Sequence, residues 1–361
     1  MLSLLSHLSQ SWMDGTVRTL EGLRRGLSEP FPLHEDPPPT TPYEVVYEGG
    51  KVRLRHYRAA GTPRSTPLLV VYSLIKRPFI LDLQPGRSVI ETLTKQGFEV
   101  YLIDWIPPTR ADSWRGFDAY VNSDLANSVR AIQIREDVER VSLLGYCFGG
   151  LLTTIYTALH PETVKNLITF TLPLDMGTRE LAIDVLAATI SPETVNLITA
   201  IYGNCPAWFI KAGFDATAPV HHLLDKYVGL YRNKDREGYA EMFELFERWM
   251  SSDVPLAGQI FREMIELLRK NLLVQGRFQV GGQTANLQNI TCSVLNVIAE
   301  HDDIVHPKSS LPLVDLIGSD DARNLIFPTG HIGAAVSAAA QKQLWPQVGA
   351  WLAERDGQWS H

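Results

Sequence analysis

Residues 141–150 read VSLLGYCFGG: a short apolar run, then Gly145-Tyr146-Cys147-Phe148-Gly149 and one more glycine. Val141, Leu143 and Leu144 suit a short buried strand, and LLTTIYTALH (151–160) suits a helix. A strand that turns straight into a helix needs a tight, strained bend. Glycines on both sides of Cys147 permit it, because backbone without a Cβ packs closely enough to lift the intervening side chain clear of the sheet. This is the form of a nucleophile elbow, with sulfur where a hydroxyl usually stands. The helix N-terminus that follows offers unpaired N–H groups and the positive end of a dipole, both favourable to negative charge at that point. The amide of Phe148 is therefore the expected first oxyanion donor, and Cys147 the expected nucleophile. The competing reading of Cys147 as a small buried hydrophobe leaves the flanking glycines without a purpose.

Upstream, YEVVYEGGKVRLRHYR (43–58) alternates apolar and polar residues on either side of Gly49-Gly50, a hairpin signal. LLVVYS (68–73), FEVYLIDW (98–105), NLITFTLP (166–173), CSVLNVIA (292–299) and RNLIFP (323–328) are short apolar runs suited to buried strands. GRSVIETLTKQG (86–97) and FDAYVNSDLANSVRAIQ (117–133) fall between them as helices. Such alternation predicts an α/β-hydrolase fold, a mostly parallel, doubly wound sheet. The alternation lapses from about 174 to 285, where helical segments such as SDVPLAGQIFREMIELLRKNLL (252–273) replace it. The expected division is a core of 43–173 and 286–361, with an inserted, largely helical cap of 174–285 over the strand ends. Residues 1–42 place Leu5, Leu8, Trp12, Leu20, Leu23 and Leu27 at roughly helical spacing ahead of the proline-dense SEPFPLHEDPPPTTP. They predict a helical arm and a stiff linker, the arm either folded on its own core or contacting a partner subunit or apolar surface.

Forty acidic against thirty-three basic residues give a net charge of -7, which provides no general attraction for nucleic acid or anionic membrane. No uncharged apolar run reaches the roughly 20 residues of a spanning helix, so no transmembrane segment is expected. No positive n-region with a cleavage site marks a signal peptide. Three cysteines (Cys147, Cys205, Cys292) without a CxxC pair argue against a disulfide framework or zinc site and favour a reducing, cytoplasmic compartment.

In an elbow fold the acid and then the histidine follow the nucleophile along the chain, each just beyond a strand. EHDDIVHP (300–307) follows the strand at 292–299, and TGHIG (329–333) follows that at 323–328. His331 is the expected base. Asp302 is preferred as its acid over Asp303, because Ile304-Val305 and Pro307 follow it; Asp303 then reads as a solvated loop residue. His301, His306, His221 and His222 read as solvent-facing or hydrogen-bonded, and no metal is expected. The second oxyanion donor should come from SLIKRPFI (73–80), with the Ile75 amide as candidate. Lys76 and Arg77 beside it read either as phosphate contacts or as an ordinary exposed basic pair. No substrate-binding side chain is legible beyond these.

Sulfur at the elbow suits one kind of chemistry. An acyl group on cysteine is a thioester, whose carbonyl is poorly stabilised by sulfur, so taking it from another thioester is nearly balanced and passing it to a hydroxyl is downhill. The stretches LLGYCFGG, FILDLQPGRSVIETLTKQGFEVYLIDW, TALHPETVKNLITF, LQNITCSVLNVIAEHD and FPTGHIG resemble the polyhydroxyalkanoate synthases, closest to their short class III and IV catalytic subunits. The resemblance runs from about Tyr43 to the C-terminus and is weakest in the cap. It implies that Cys147 carries the growing polyester, that His331 deprotonates it, and that Asp302 either assists His331 or activates the 3-hydroxyl of the incoming unit. The implied substrate is a 3-hydroxyacyl-coenzyme A, foremost 3-hydroxybutyryl-coenzyme A, with coenzyme A released and no cofactor. The implied partners are a second, non-catalytic subunit and a polyester granule surface; the oligomeric state, a homodimer included, stays open.

The chain departs from the family pattern at Asp303, where relatives carry histidine, at Ile106, where they carry glycine, and at ELLRKN (266–271), where they carry an aromatic-rich helix. GNCP (203–206) matches a cap segment in which relatives are apolar, so Cys205 reads as packing. Two other readings remain beside the synthase: a cysteine-dependent ester or lactone hydrolase of the same fold, and a non-catalytic α/β protein that binds acyl chains or granules. The long insertion weighs against the first and the ordered Cys147, Asp302 and His331 against the second.

Overall fold

The computed structural model describes residues 36–178, 190–217 and 239–356. The helical arm expected at 1–28, and His221 and His222, lie outside the described residues. The apolar runs become eight strands of one sheet: β1 (Glu44–Gly49), β2 (Val52–Tyr57), β3 (Leu68–Val71), β4 (Val100–Trp105), β5 (Val141–Tyr146), β6 (Val164–Phe170), β7 (Ser293–Ala299) and β8 (Ala322–Phe327). Their spatial order is β1-β2-β4-β3-β5-β6-β7-β8. β1 and β2 form the expected hairpin, β2 runs antiparallel to β4, and β3 to β8 pair parallel with their neighbours.

Side chains alternate across such a sheet, and both faces are covered. Leu69 and Val71 of β3 join a core that holds Leu152 and Ile155 of α3 (Phe148–Leu159) with Val129 and Ile132 of α2 (Ala126–Glu136). Leu68 and Val70 join a second core that holds Leu93 of α1 (Val89–Lys95), and Val348, Trp351 and Leu352 of α8 (Trp345–Glu354). Ser88 caps α1 by accepting from the Glu91 N–H at 2.8 Å, as a residue at that position should. A stretch of π-helix, Ala119–Leu125, leads into α2 where a plain helix is predicted.

Between β6 and β7 the described residues form α4 (Pro192–Tyr202), α5 (Ala207–Thr217), α6 (Tyr239–Met250) and α7 (Gly258–Lys270), and no strand of the main sheet. The helix predicted at 252–273 starts only at Gly258. Residues 252–256 are extended, which follows from Pro255: it holds Val254 out of the helical region.

Candidate active site

Cys147 has φ 53° and ψ -119°, a left-handed conformation that costs a non-glycine residue about 1–3 kcal/mol. Neighbouring bonds offset it: the Cys147 N–H donates to the Phe170 carbonyl at 2.8 Å, and its carbonyl accepts from Gly150 N–H at 2.8 Å. The glycines are there because nothing larger fits. A Cβ on Gly149 would stand 2.0 Å from the Val71 carbonyl oxygen, and one on Gly145 2.2 Å from Thr153 Oγ1. Helix α3 starts at Phe148, three residues earlier than predicted, so the elbow turn and the first helical turn are the same residues.

The loops after β7 and β8 bring Asp302 and His331 to this point. His331 Nδ1 lies 2.7 Å from Asp302 Oδ2, and both side chains are buried. The other carboxylate oxygen, Oδ1, accepts from the Ile304 and Val305 N–H groups at 2.9 and 2.8 Å. Burial is the largest influence on His331 and opposes its charged form; the charges of Asp302 and Cys147, with hydrogen bonds to both, outweigh it and raise the imidazole to about 10. Asp303 is exposed, as a solvated loop residue should be. His306 Nδ1 accepts from the Lys308 N–H at 3.2 Å, a turn contact.

Ile75, Phe148 and Cys147 line one cavity of about 320 Å³ between the strand ends and helices α5 and α7. Phe148 is the first residue of α3, where an N–H has no partner inside the helix. The Ile75 N–H has only a marginal contact, Ser73 Oγ at 3.5 Å. The rest of the wall is apolar, with Phe209, Phe261, Met264 and Leu268 from the cap segment. Lys76 and Arg77 are not an exposed basic pair. Lys76 lies 2.9 Å from Asp253, and Arg77 lies 2.7 Å from Asp36 and 2.9 Å from Asp104, all largely buried.

Sequence reasoning missed two supporting tyrosines. Tyr146 donates to the His331 carbonyl at 2.7 Å and sets its ring edge against the imidazole at 5.5 Å. Tyr72 stacks at a tilt on Tyr146, 5.2 Å away; burial, then the charge of Cys147, push its hydroxyl well above 10. A tyrosine next to the elbow cysteine was visible in GYC, but its partner is a backbone atom 185 residues away.

A family model for the alpha/beta hydrolase fold matches residues 66–188. Among solved structures, a soluble variant of monoglyceride lipase from Saccharomyces cerevisiae superposes with a TM-score of 0.59 at 12% identity, over 91% of this chain and all of that one. Monoacylglycerol lipase from Paleococcus ferrophilus gives 0.57 at 13% identity, over 85% of this chain and all of that one. At such identities the likeness concerns the fold. Fold and elbow together define an α/β-hydrolase-fold protein with cysteine at the nucleophile position. Sequence comparison narrows this class.

The poly(3-hydroxyalkanoate) polymerase subunit PhaC of Haloferax mediterranei is 38% identical over 326 residues, which is 87% of this chain and 64% of that protein. The subunit of the same name from Allochromatium vinosum is 36% identical over 87% of this chain and 89% of its own length, and that from Synechocystis is 34% identical over 95% and 92%. The chain belongs to the poly(3-hydroxyalkanoate) polymerase family. It spans just under two thirds of the haloarchaeal relative and nearly all of the other two. Among the described residues no helix is long and apolar enough to cross a membrane.

Proposed function

We propose that this chain polymerises 3-hydroxyacyl-coenzyme A, with 3-hydroxybutyryl-coenzyme A as the foremost substrate, into poly(3-hydroxyalkanoate) with release of coenzyme A. The observation that carries the reading is a buried imidazole coupled to Asp302 and to Cys147, with Cys147 itself lining an apolar cavity, in a chain of the polymerase family. Cys147 Sγ, its proton already held by His331, attacks the thioester carbonyl. The carbon–sulfur bond to coenzyme A breaks, and His331 returns the proton to the departing sulfur. Backbone N–H groups of Phe148 and Ile75 hold the oxyanion in between. A 3-hydroxyl then attacks the Cys147 thioester, its proton goes to His331, and the ester bond forms as the cysteine sulfur leaves.

Both oxygens of Asp302 are already engaged, one by His331 and one by two amides, which supports an orienting role over direct activation of the hydroxyl. The apolar wall excludes water and so protects the thioester from hydrolysis. Coenzyme A enters as part of the substrate; no resident cofactor or metal is needed for these steps. Relatives named as polymerase subunits support a second, non-catalytic subunit as partner. Work as a homodimer and at a cytoplasmic polymer granule belongs to the same proposal. The test incubates the purified chain, alone and with candidate partner subunits, with 3-hydroxybutyryl-coenzyme A while thiol release and turbidity are followed. Thiol release accompanied by insoluble polyester is expected; release of free hydroxy acid alone would replace the synthase with a hydrolase.

A further inference from the structure

The loop after β3, which carries Ile75, is bound along its length to the segment at 252–256. Lys76 and Asp253 form an isolated antiparallel bridge, and the Val254 N–H donates to the Ile75 carbonyl at 3.1 Å. Side chains repeat the connection. The Lys76 ammonium lies 2.9 Å from the Asp253 carboxylate, with the two side chains 13% and 7% exposed. It also donates to the Met250 carbonyl and stands 5.4 Å over the Trp249 ring. Trp249 Nε1 donates to the Arg77 carbonyl at 3.0 Å, while Asp36 and Asp104 hold the Arg77 guanidinium from the side of the sheet. The segment ends at Leu256, which exchanges both backbone hydrogen bonds with Cys205 and lines the cavity beside Ile75.

Two physical points set this contact apart from ordinary packing. A buried ion pair contributes little net stability, because removing both charges from water offsets most of their attraction; what it fixes is register. Register matters at Ile75. Peptide planes are rigid, so pinning the Ile75–Lys76 peptide leaves only the φ and ψ of Ile75 itself to decide where its N–H points. That N–H is the second oxyanion donor of the mechanism above, and a misplacement of about 1 Å at such a group costs up to roughly 100-fold in rate.

We propose that Lys76 and Asp253 are a positioning pair: they dock the segment at 252–256 on the oxyanion loop, and the Ile75 N–H reaches the oxyanion only while that segment is docked. The inference rests on the reading of Cys147 as the acylated residue. Its consequence is that the thioester forms only under a closed, dry cover, so that acylation and exclusion of water are one event.

The test uses the full chain and compares native protein with Lys76→Met, Asp253→Asn and the double Lys76→Cys, Asp253→Cys variant. Antiparallel bridge partners lie about 4.5–5.5 Å apart at Cα, within the range a disulfide spans. Single variants should release coenzyme A thiol about 10- to 100-fold more slowly at saturation, with KM within about threefold of native. The double variant should be as slow when reduced and return to within about threefold of native when its disulfide is closed. Native chain carried through the same oxidation and checked for a covalent mass increase at Cys147 separates failure of the nucleophile from failure of the pair. No acylation of native chain would overturn the reading of Cys147. Acylation of native chain together with native turnover in the reduced double variant, or an oxidised form as slow as the reduced one, would overturn the positioning pair. Should Lys76→Met fail to fold, the near-isosteric Asp253→Asn and the disulfide pair decide between the same two outcomes.

Discussion

Cys147 and Cys205 place the same thiol in opposite surroundings. Cys147 sits half-buried on a left-handed turn, with an imidazole and its carboxylate partner at hand. Cys205 is completely buried in the cap segment, bridged through its backbone to Leu256, and burial alone pushes its thiol far above the usual range. Residue type therefore says little about reactivity here. The elbow supplies strain, direction and a charged neighbour; the cap segment supplies apolar surface. The core holds Cys147, and the segment between β6 and β7 lines the cavity beside it.

The largest expected effect is at the elbow. Cys147→Ala should abolish covalent acylation by 3-hydroxybutyryl-coenzyme A, read by intact mass; a mass increase in that variant would place the nucleophile elsewhere and end the contrast. Next is Asp302→Ala, which should slow acylation and elongation alike by about 10³- to 10⁴-fold, since its oxygens face His331 and two amides. A loss confined to elongation, seen by comparing single-turnover thiol release with polymer growth, would instead assign Asp302 to the incoming hydroxyl.

A third expectation concerns pH. His331 is raised to about 10 in the folded chain from an ordinary 6.5, so the folded state binds more protons between these values. Its contribution to stability is complete below about pH 6.5 and is lost as pH rises through 10. Denaturant midpoints measured across that window should fall with rising pH, and His331→Gln should flatten the slope. A slope unchanged by that substitution would move the pH dependence to another group. The smallest effect belongs to the other cysteine. Cys205→Val should leave thiol release within about twofold of native and change stability by less than about 1.5 kcal/mol, as a swap of similar size in an apolar site should. A large loss of acylation in Cys205→Val would make the two thiols partners and not opposites.

The strands, their parallel alternation and the positions of Cys147, Asp302 and His331 in chain order were legible in the sequence. Each rests on a local signal: an apolar run of strand length, glycines forced by a close approach to Val71 and Thr153, or a polar residue just past a strand. Chain order then limits which ends can meet. The sequence left open what Lys76 and Arg77 do, because their partners lie far along the chain, from Asp36 to Asp253. It also left open which cap side chains wall the cavity. Apolar residues on amphipathic helices look alike in one dimension, and only the tertiary packing selects Phe261, Met264 and Leu268 to line the cavity that Cys147 shares. Local backbone chemistry thus determined where Cys147 stands, while its neighbours were decided by contacts between residues that no spacing rule connects.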